Sequence, residues 1–263
     1  MRRTLLTAAI SLTLLVPGAL LVPAAAQAHS ASASEGGVKA ILSYTGGPGI
    51  TTRNERLTIT RGGKRVYDQP VPSKGCTKVC GPAVKQPVTV ASLYGNDGED
   101  VVLTLWNGGA DCCTLADVYV PSASTGSYVL DQYNFGEAGF KLENIGPKGR
   151  PEFVSADQHF YCVVSVCAAS ALPLQIFQFN AESFVNVTKS YPKLIRADAA
   201  HWYTLYFKNP KHNVAAIVAW AADEYNLGSQ ASAIKVLKRQ VAHHYMKASL
   251  EAGVQRFLGD NHY

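Results

Sequence analysis

The residues of this chain whose chemistry is easiest to read are its six cysteines, which come as three close pairs: Cys76 and Cys80, Cys112 and Cys113, Cys162 and Cys167. Thiols so grouped hold zinc, form a redox couple or close disulfides. The spacings C-x3-C, C-C and C-x4-C match no standard zinc knuckle, and no histidine stands beside them in sequence. Structural disulfides are the expectation, although spacing alone does not decide which thiols pair. Cys162 and Cys167 would point to opposite sides of a regular strand, so a bridge between them requires a turn or bulge.

Acid–base chemistry is sparsely provided. Of seven histidines, five lie in or near the C-terminal third and His29 lies near the start, which leaves His159, just after Asp157-Gln158, as the candidate in the middle of the chain. His243 and His244 are adjacent on an expected helix and diverge by about 100°, so they do not share one metal. The G-x-S-x-G, H-E-x-x-H, S-x-x-K and P-loop signatures are missing, so neither catalytic residues nor a cofactor can be assigned.

The elements that must position these groups begin with an expected export signal over residues 1–28. Arg2 and Arg3 supply its positive start, Leu5 to Val22 its apolar stretch, and Ala26-Gln27-Ala28 its small-x-small cleavage site. Export to an oxidising compartment is what makes disulfides the default for the cysteines. The formal charge of +5, or +3 without Arg2 and Arg3, comes with no basic run interleaved with aromatics, which excludes a nucleic-acid partner. No later run is apolar for long enough to span a membrane. A secreted monomer is expected.

Residues 29–37 are polar and small, and read as a flexible lead-in. From 38 to 190 the chain is written in short β-type runs separated by Gly, Pro, Asn and Asp, which predicts an antiparallel β domain. The clearest hairpin is Arg56–Thr60 and Arg65–Tyr67 about Gly62-Gly63. A strand is also expected over Phe160 to Val166. From 191 to 263 the apolar period lengthens: Ile195, Ala199, Trp202 and Tyr206 form one stripe, and two more follow, predicting three to four helices packed on the β domain. Ser190, Asn213 and Ser229 are the expected N-caps and Gly228 ends the second helix. The fold class is α+β, a blade-like β domain with a helical subdomain.

Two segments repeat one pattern 51 residues apart by their glycines Gly98 and Gly149: Gly95-Asn96-Asp97-Gly98-Glu99-Asp100 before Val101-Val102-Leu103, and Gly146-Pro147-Lys148-Gly149-Arg150-Pro151-Glu152 before Phe153-Val154. This resembles the FG-GAP repeats of integrin-type β-propellers, whose loop binds calcium. The run Trp106-Asn107-Gly108-Gly109-Ala110-Asp111-Cys112-Cys113 is similar to a GGA-x-CC element of exported actinobacterial-type proteins. The resemblance implies blade-type repeats. It does not carry the metal over: the ligand positions become Ser92, Tyr94, Asn96 and Asp100 in the first copy and Asn144, Gly146, Lys148 and Glu152 in the second, too few carboxylates for calcium.

The function expected is a disulfide-stapled module that binds an extracellular protein or a glycan through two loops, with Tyr94, Asn96, Asp97 and Asp100 in one and Trp106, Asn107 and Asp111 in the other. The alternative is an extracellular hydrolase whose carboxylates meet only in the fold. A concave cleft holding two carboxylates about 5 to 9.5 Å apart would favour the hydrolase.

Overall fold

The computed structural model describes residues 27–47, 51–76, 80–95, 99–109, 112–147, 149–180 and 183–263. The expected export signal, apart from its last two residues, lies outside them. The class is α+β: three antiparallel sheets followed by four helices.

The first sheet is a meander of β1 (Ala28–Glu35), β2 (Val38–Thr45), β3 (Arg53–Arg61) and β4 (Lys64–Pro70) in chain order. Gly62 and Gly63, with φ of 54° and 79°, make the β3–β4 turn in the doubly left-handed form that matches strand twist. The flexible lead-in expected over 29–37 is corrected here. Its first seven residues pair along β2 from His29↔Tyr44 to Glu35↔Val38, and Ala31 and Ala33 pack on the core beneath. The ladder to β2 orders this strand, helped by these two alanines and by His29, which stacks 5.4 Å from Tyr44.

The second sheet contains β5 (Gly81–Pro82), β6 (Val88–Ala91), β7 (Asp100–Trp106), β8 (Thr114–Ser122) and β9 (Ser127–Gly136). It is covered on both sides. Val101, Leu103, Leu105, Leu115 and Tyr119 face the first sheet, against Leu42, Leu57 and Ile59. Val102, Ala116, Val118 and Val120 face the third sheet. That third sheet is again a consecutive meander, β10 (Lys141–Glu143), β11 (Glu152–Ala156), β12 (Leu174–Phe179) and β13 (Phe184–Asn186). Phe153 and Phe177 from it meet Phe135 of β9, with Phe135 stacked 5.6 Å from Phe153 and set edge-on 5.6 Å from Phe177, and Phe179 joins the same cluster. Such ring pairs add about 0.5–1.5 kcal/mol each beyond area burial.

The strand expected over Phe160 to Val166 does not form. Two short 3-10 turns, Gln158–Phe160 and Cys167–Ala169, replace it, with Cys162 at φ 60°. The Cys162–Cys167 disulfide, Cα atoms 4.2 Å apart, closes this excursion. The other bridges join Cys76 to Cys80 and Cys112 to Cys113, so each pair is local.

Helices α1 (Pro192–Lys208), α2 (Val214–Asn226), α3 (Gln230–Ala242) and α4 (Ala248–Asp260) follow. Pro192 opens α1, so Tyr191 takes the N-cap position expected for Ser190, which ends a 3-10 turn. Asn213 and Ser229 hold the N-cap positions of α2 and α3 without a capping bond; the Asn213 amide donates to the Leu205 carbonyl at 2.7 Å instead. Gly228, at φ 75°, terminates α2. The helical core includes Phe160 and Ala171 from the disulfide-closed excursion, which docks the helices on the third sheet.

Asp223 of α2 is fully buried beside Asp198 of α1, which accepts from the Leu174 amide and the Trp202 indole, each at 2.9 Å. Burial, then the neighbouring Asp198 carboxyl, pushes Asp223 up to about 10. Burial likewise raises Asp117 to about 6 and Asp100 to about 7. A carboxyl that keeps its proton only when folded stabilises most at low pH and loses that contribution as pH climbs from its unfolded to its folded value, by up to about 1.4 kcal/mol per pH unit. Between pH 7.5 and 9, Asp223 is the one of these three still falling. Thermal melts over that window should show wild type losing stability steadily and Asp223→Asn holding nearly level; parallel curves would contradict the assignment.

Candidate functional site

A cleft of about 380 Å³ opens where the second and third sheets meet. Strand β9 supplies Tyr133 and Asn134, β11 supplies Ser155, β12 supplies Gln175 and Phe177, and the turn after β11 supplies Asp157, Gln158 and His159; Cys113 completes the wall. Tyr133 is half-buried, its ring 4.7 Å from Phe135, 5.0 Å from Phe177 and 4.8 Å from Phe184. That aromatic cluster makes the floor rigid.

Asp157 is buried and organises the rim. Its Oδ1 accepts from the His159 backbone N–H at 2.9 Å and lies 2.7 Å from His159 Nδ1, while its Oδ2 accepts from the Tyr263 hydroxyl. The His159 side chain stands 69% exposed on this anchor, which leaves Nε2 toward solvent. Burial and then the Asp157 charge raise the Tyr133 hydroxyl, so it stays a neutral donor. Gln158 Oε1 accepts from the Glu137 and Ala138 amides at 2.8 and 3.4 Å, tying the β9–β10 turn to the cleft.

Hydrolytic equipment is incomplete among the lining residues. Asp157 is the one carboxylate, with both oxygens engaged. Ser155 Oγ donates to the Gly139 carbonyl at 2.5 Å and is no partner for His159. Among the described residues no group of three or more His, Cys, Asp and Glu could hold a metal.

The residues singled out in sequence take other places. Asp100 is buried at the start of β7 and accepts from the Leu93 amide at 2.9 Å. The Tyr94 carbonyl accepts from Arg150 Nη1 at 2.9 Å, so the two repeated loops touch each other. Glu152 accepts from the Tyr191 hydroxyl at 2.7 Å. Trp106 Nε1 donates to the Cys112 carbonyl at 3.2 Å, and Asn107 Oδ1 accepts from the Gly109 and Cys113 amides at 2.9 and 2.8 Å. Asp100, Trp106 and Asn107 bond within their own loops; among the described residues of the Trp106–Cys113 run, Cys113 alone lines the cleft. Asn96, Asp97 and Asp111 lie outside the described residues. Tyr133, Asn134 and Gln175 carried no motif, and only their neighbour His159 gave a signal in sequence.

No family model, no curated protein and no solved structure matches this chain. The cleft is therefore read from its own chemistry.

Asn107 is the clamp that sets the Cys112–Cys113 turn against the cleft. Asn107→Ala strips two backbone donors of their acceptor, at a cost of about 1–3 kcal/mol, with each kcal/mol worth roughly 2–4 °C for a chain of this size. Differential scanning calorimetry should show that drop; an unchanged melting temperature would refute the clamp.

Proposed function

We propose that this chain is an exported, disulfide-stapled β module that binds an extracellular glycan in the cleft between its second and third sheets. The observation that carries the reading is one half-buried tyrosine ring, Tyr133, set among the side-chain amides of Asn134, Gln158 and Gln175 and the anchored imidazole of His159. A sugar offers an apolar C–H face, which an aromatic ring accepts, and hydroxyls, which the Gln175 amide, the NH2 groups of Asn134 and Gln158 and the imidazole can pair; Asn134 Oδ1 and Gln158 Oε1 already accept from the Gly136, Glu137 and Ala138 amides. The three disulfides support an extracellular setting. The likeness to FG-GAP-type repeats is kept as part of this proposal, the two repeated segments leading into β7 and β11.

The hydrolase remains the second reading because of one observation. A neighbouring groove of about 660 Å³ carries two exposed glutamates, Glu137 and Glu143, over an apolar floor that includes Phe140 and Trp202.

A panel of immobilised neutral oligosaccharides, followed by calorimetric titration of those retained, tests the proposal. Binding should weaken about tenfold in Tyr133→Ala, a loss of about 1.4 kcal/mol, and several-fold in His159→Ala and Gln175→Ala, with the melting temperatures of the last two unchanged. Failure of every neutral oligosaccharide to bind, or equal binding by all variants, would overturn it. Recovery of cleaved sugars, abolished by Glu137→Gln with Glu143→Gln, would move the function to the neighbouring groove.

A further inference from the structure

We propose that the exposed face of α3, continued by the turn that leads into α4, is a docking surface for an acidic polysaccharide, separate from the cleft. The observation behind it is a division of charge. Residues 191–263 hold nine Lys and Arg against five Asp and Glu, a formal charge of +4, whereas residues 29–190 hold 13 against 14. All nine cations of the helical region are exposed, and among the described residues none of them forms an ion pair. Three of the five acids are taken up by the fold: Asp223 is fully buried, Asp198 accepts from the Leu174 amide and the Trp202 indole, and the buried Glu251 accepts from the Gln255 amide. The helical surface is therefore more cationic than its formal charge.

The cations are densest on α3. Its Ala233, Leu237 and Gln240 are buried, while Lys235, Lys238 and Arg239 stand exposed. At spacings of three and four residues these are neighbours on one helix face, and like charges so placed repel. The helix dipole favours Arg239, in the last turn, and does nothing for Lys235. No Asp or Glu occurs from Tyr225 to Leu250 to offset them, and Lys247, also exposed, carries the same sign to the start of α4. A row of one sign that the chain leaves unneutralised is matched by a polymer whose anions repeat along its length. A bilayer is the poorer match: of the large apolar side chains exposed among the described residues, none lies on α3 or α4, so nothing on this face would enter lipid. No residue of the row lines the cleft or the neighbouring groove, so this surface stands or falls independently of the neutral-sugar reading.

The test compares polygalacturonate, dextran sulfate and neutral dextran by calorimetric titration on the full chain at low and at physiological salt. Binding of either acidic polymer, weakening as salt rises, with none of dextran, is the expected result. The triple variant Lys235→Gln, Lys238→Gln and Arg239→Gln should bind about tenfold more weakly. The triple variant Lys193→Gln, Lys208→Gln and Lys211→Gln removes the same charge elsewhere in the helical region and should stay close to wild type. Glutamine keeps the helix propensity of lysine, and the single variants Lys235→Gln and Lys238→Gln, each expected to bind a few-fold more weakly, carry the test if the triple variant melts early. Equal losses in the two triple variants would reduce the effect to net charge and overturn the docking surface, as would failure of both acidic polymers to bind. His159→Ala should hold the acidic polymer as wild type does; a loss there would put the polymer in the cleft and overturn the proposal. Tighter binding to anionic phosphatidylglycerol vesicles or to duplex DNA than to either polysaccharide would also overturn it, by assigning the row to that partner.

Discussion

Burial of the second sheet on both faces is the constraint from which the rest of the structure follows. Strands β7 and β8 carry apolar side chains in both directions, Leu103 and Leu115 one way, Val102 and Val118 the other. Such strands need a cover on each side, since either face left open would expose several aliphatic side chains to water at about 25 cal/mol per Å². The first and third sheets are those covers. Each is a four-stranded meander with an apolar face turned to the second sheet. Two buried carboxyls sit in the same frame: Asp117 Oδ1 accepts from Gln132 across the β8–β9 pair at 2.6 Å and Asp100 Oδ2 from the Leu93 amide, while the second oxygen of each has no hydrogen-bond partner among the described residues.

The cleft is a product of this layering. Tyr133 and Asn134 come from the second sheet, Gln175 and Phe177 from the third, and the turn bearing Asp157 and His159 leaves the third sheet where the helices dock. Tyr263 and Asp198 tie the helices to that turn and to β12. The cleft and the helical region are therefore coupled through hydrogen bonds to two aspartates, not only through apolar packing. The disulfides act locally: each closes a small loop, and two of the three, Cys112–Cys113 and Cys162–Cys167, flank the segments that shape the cleft.

Much of the fold was legible in the sequence, and what was not has physical causes. The β3–β4 hairpin was readable because two glycines at positive φ are a local signal. Strand β1 was not, because Ala-His-Ser-Ala-Ser-Ala-Ser-Glu has no branched or aromatic residue and is ordered by its ladder to β2. The run Tyr-Cys-Val-Val-Ser-Val reads as a strand by composition, and a disulfide across five residues bends it instead. Asp157 and His159 stood out as neighbours, whereas Tyr133 and Gln175 are far apart in sequence and join them only through strand order. Asp100 and Asn107, which looked like site residues, accept from backbone amides of their own loops.

Native-state hydrogen exchange tests the central role of the second sheet most directly. If both covering sheets depend on it, the amides of Val102, Leu103, Ala116 and Val118 should exchange only through global opening, and no amide of the first or third sheet should outlast them. Protection in β2 and β3, or in β11 and β12, persisting after β7 and β8 have exchanged would contradict the account.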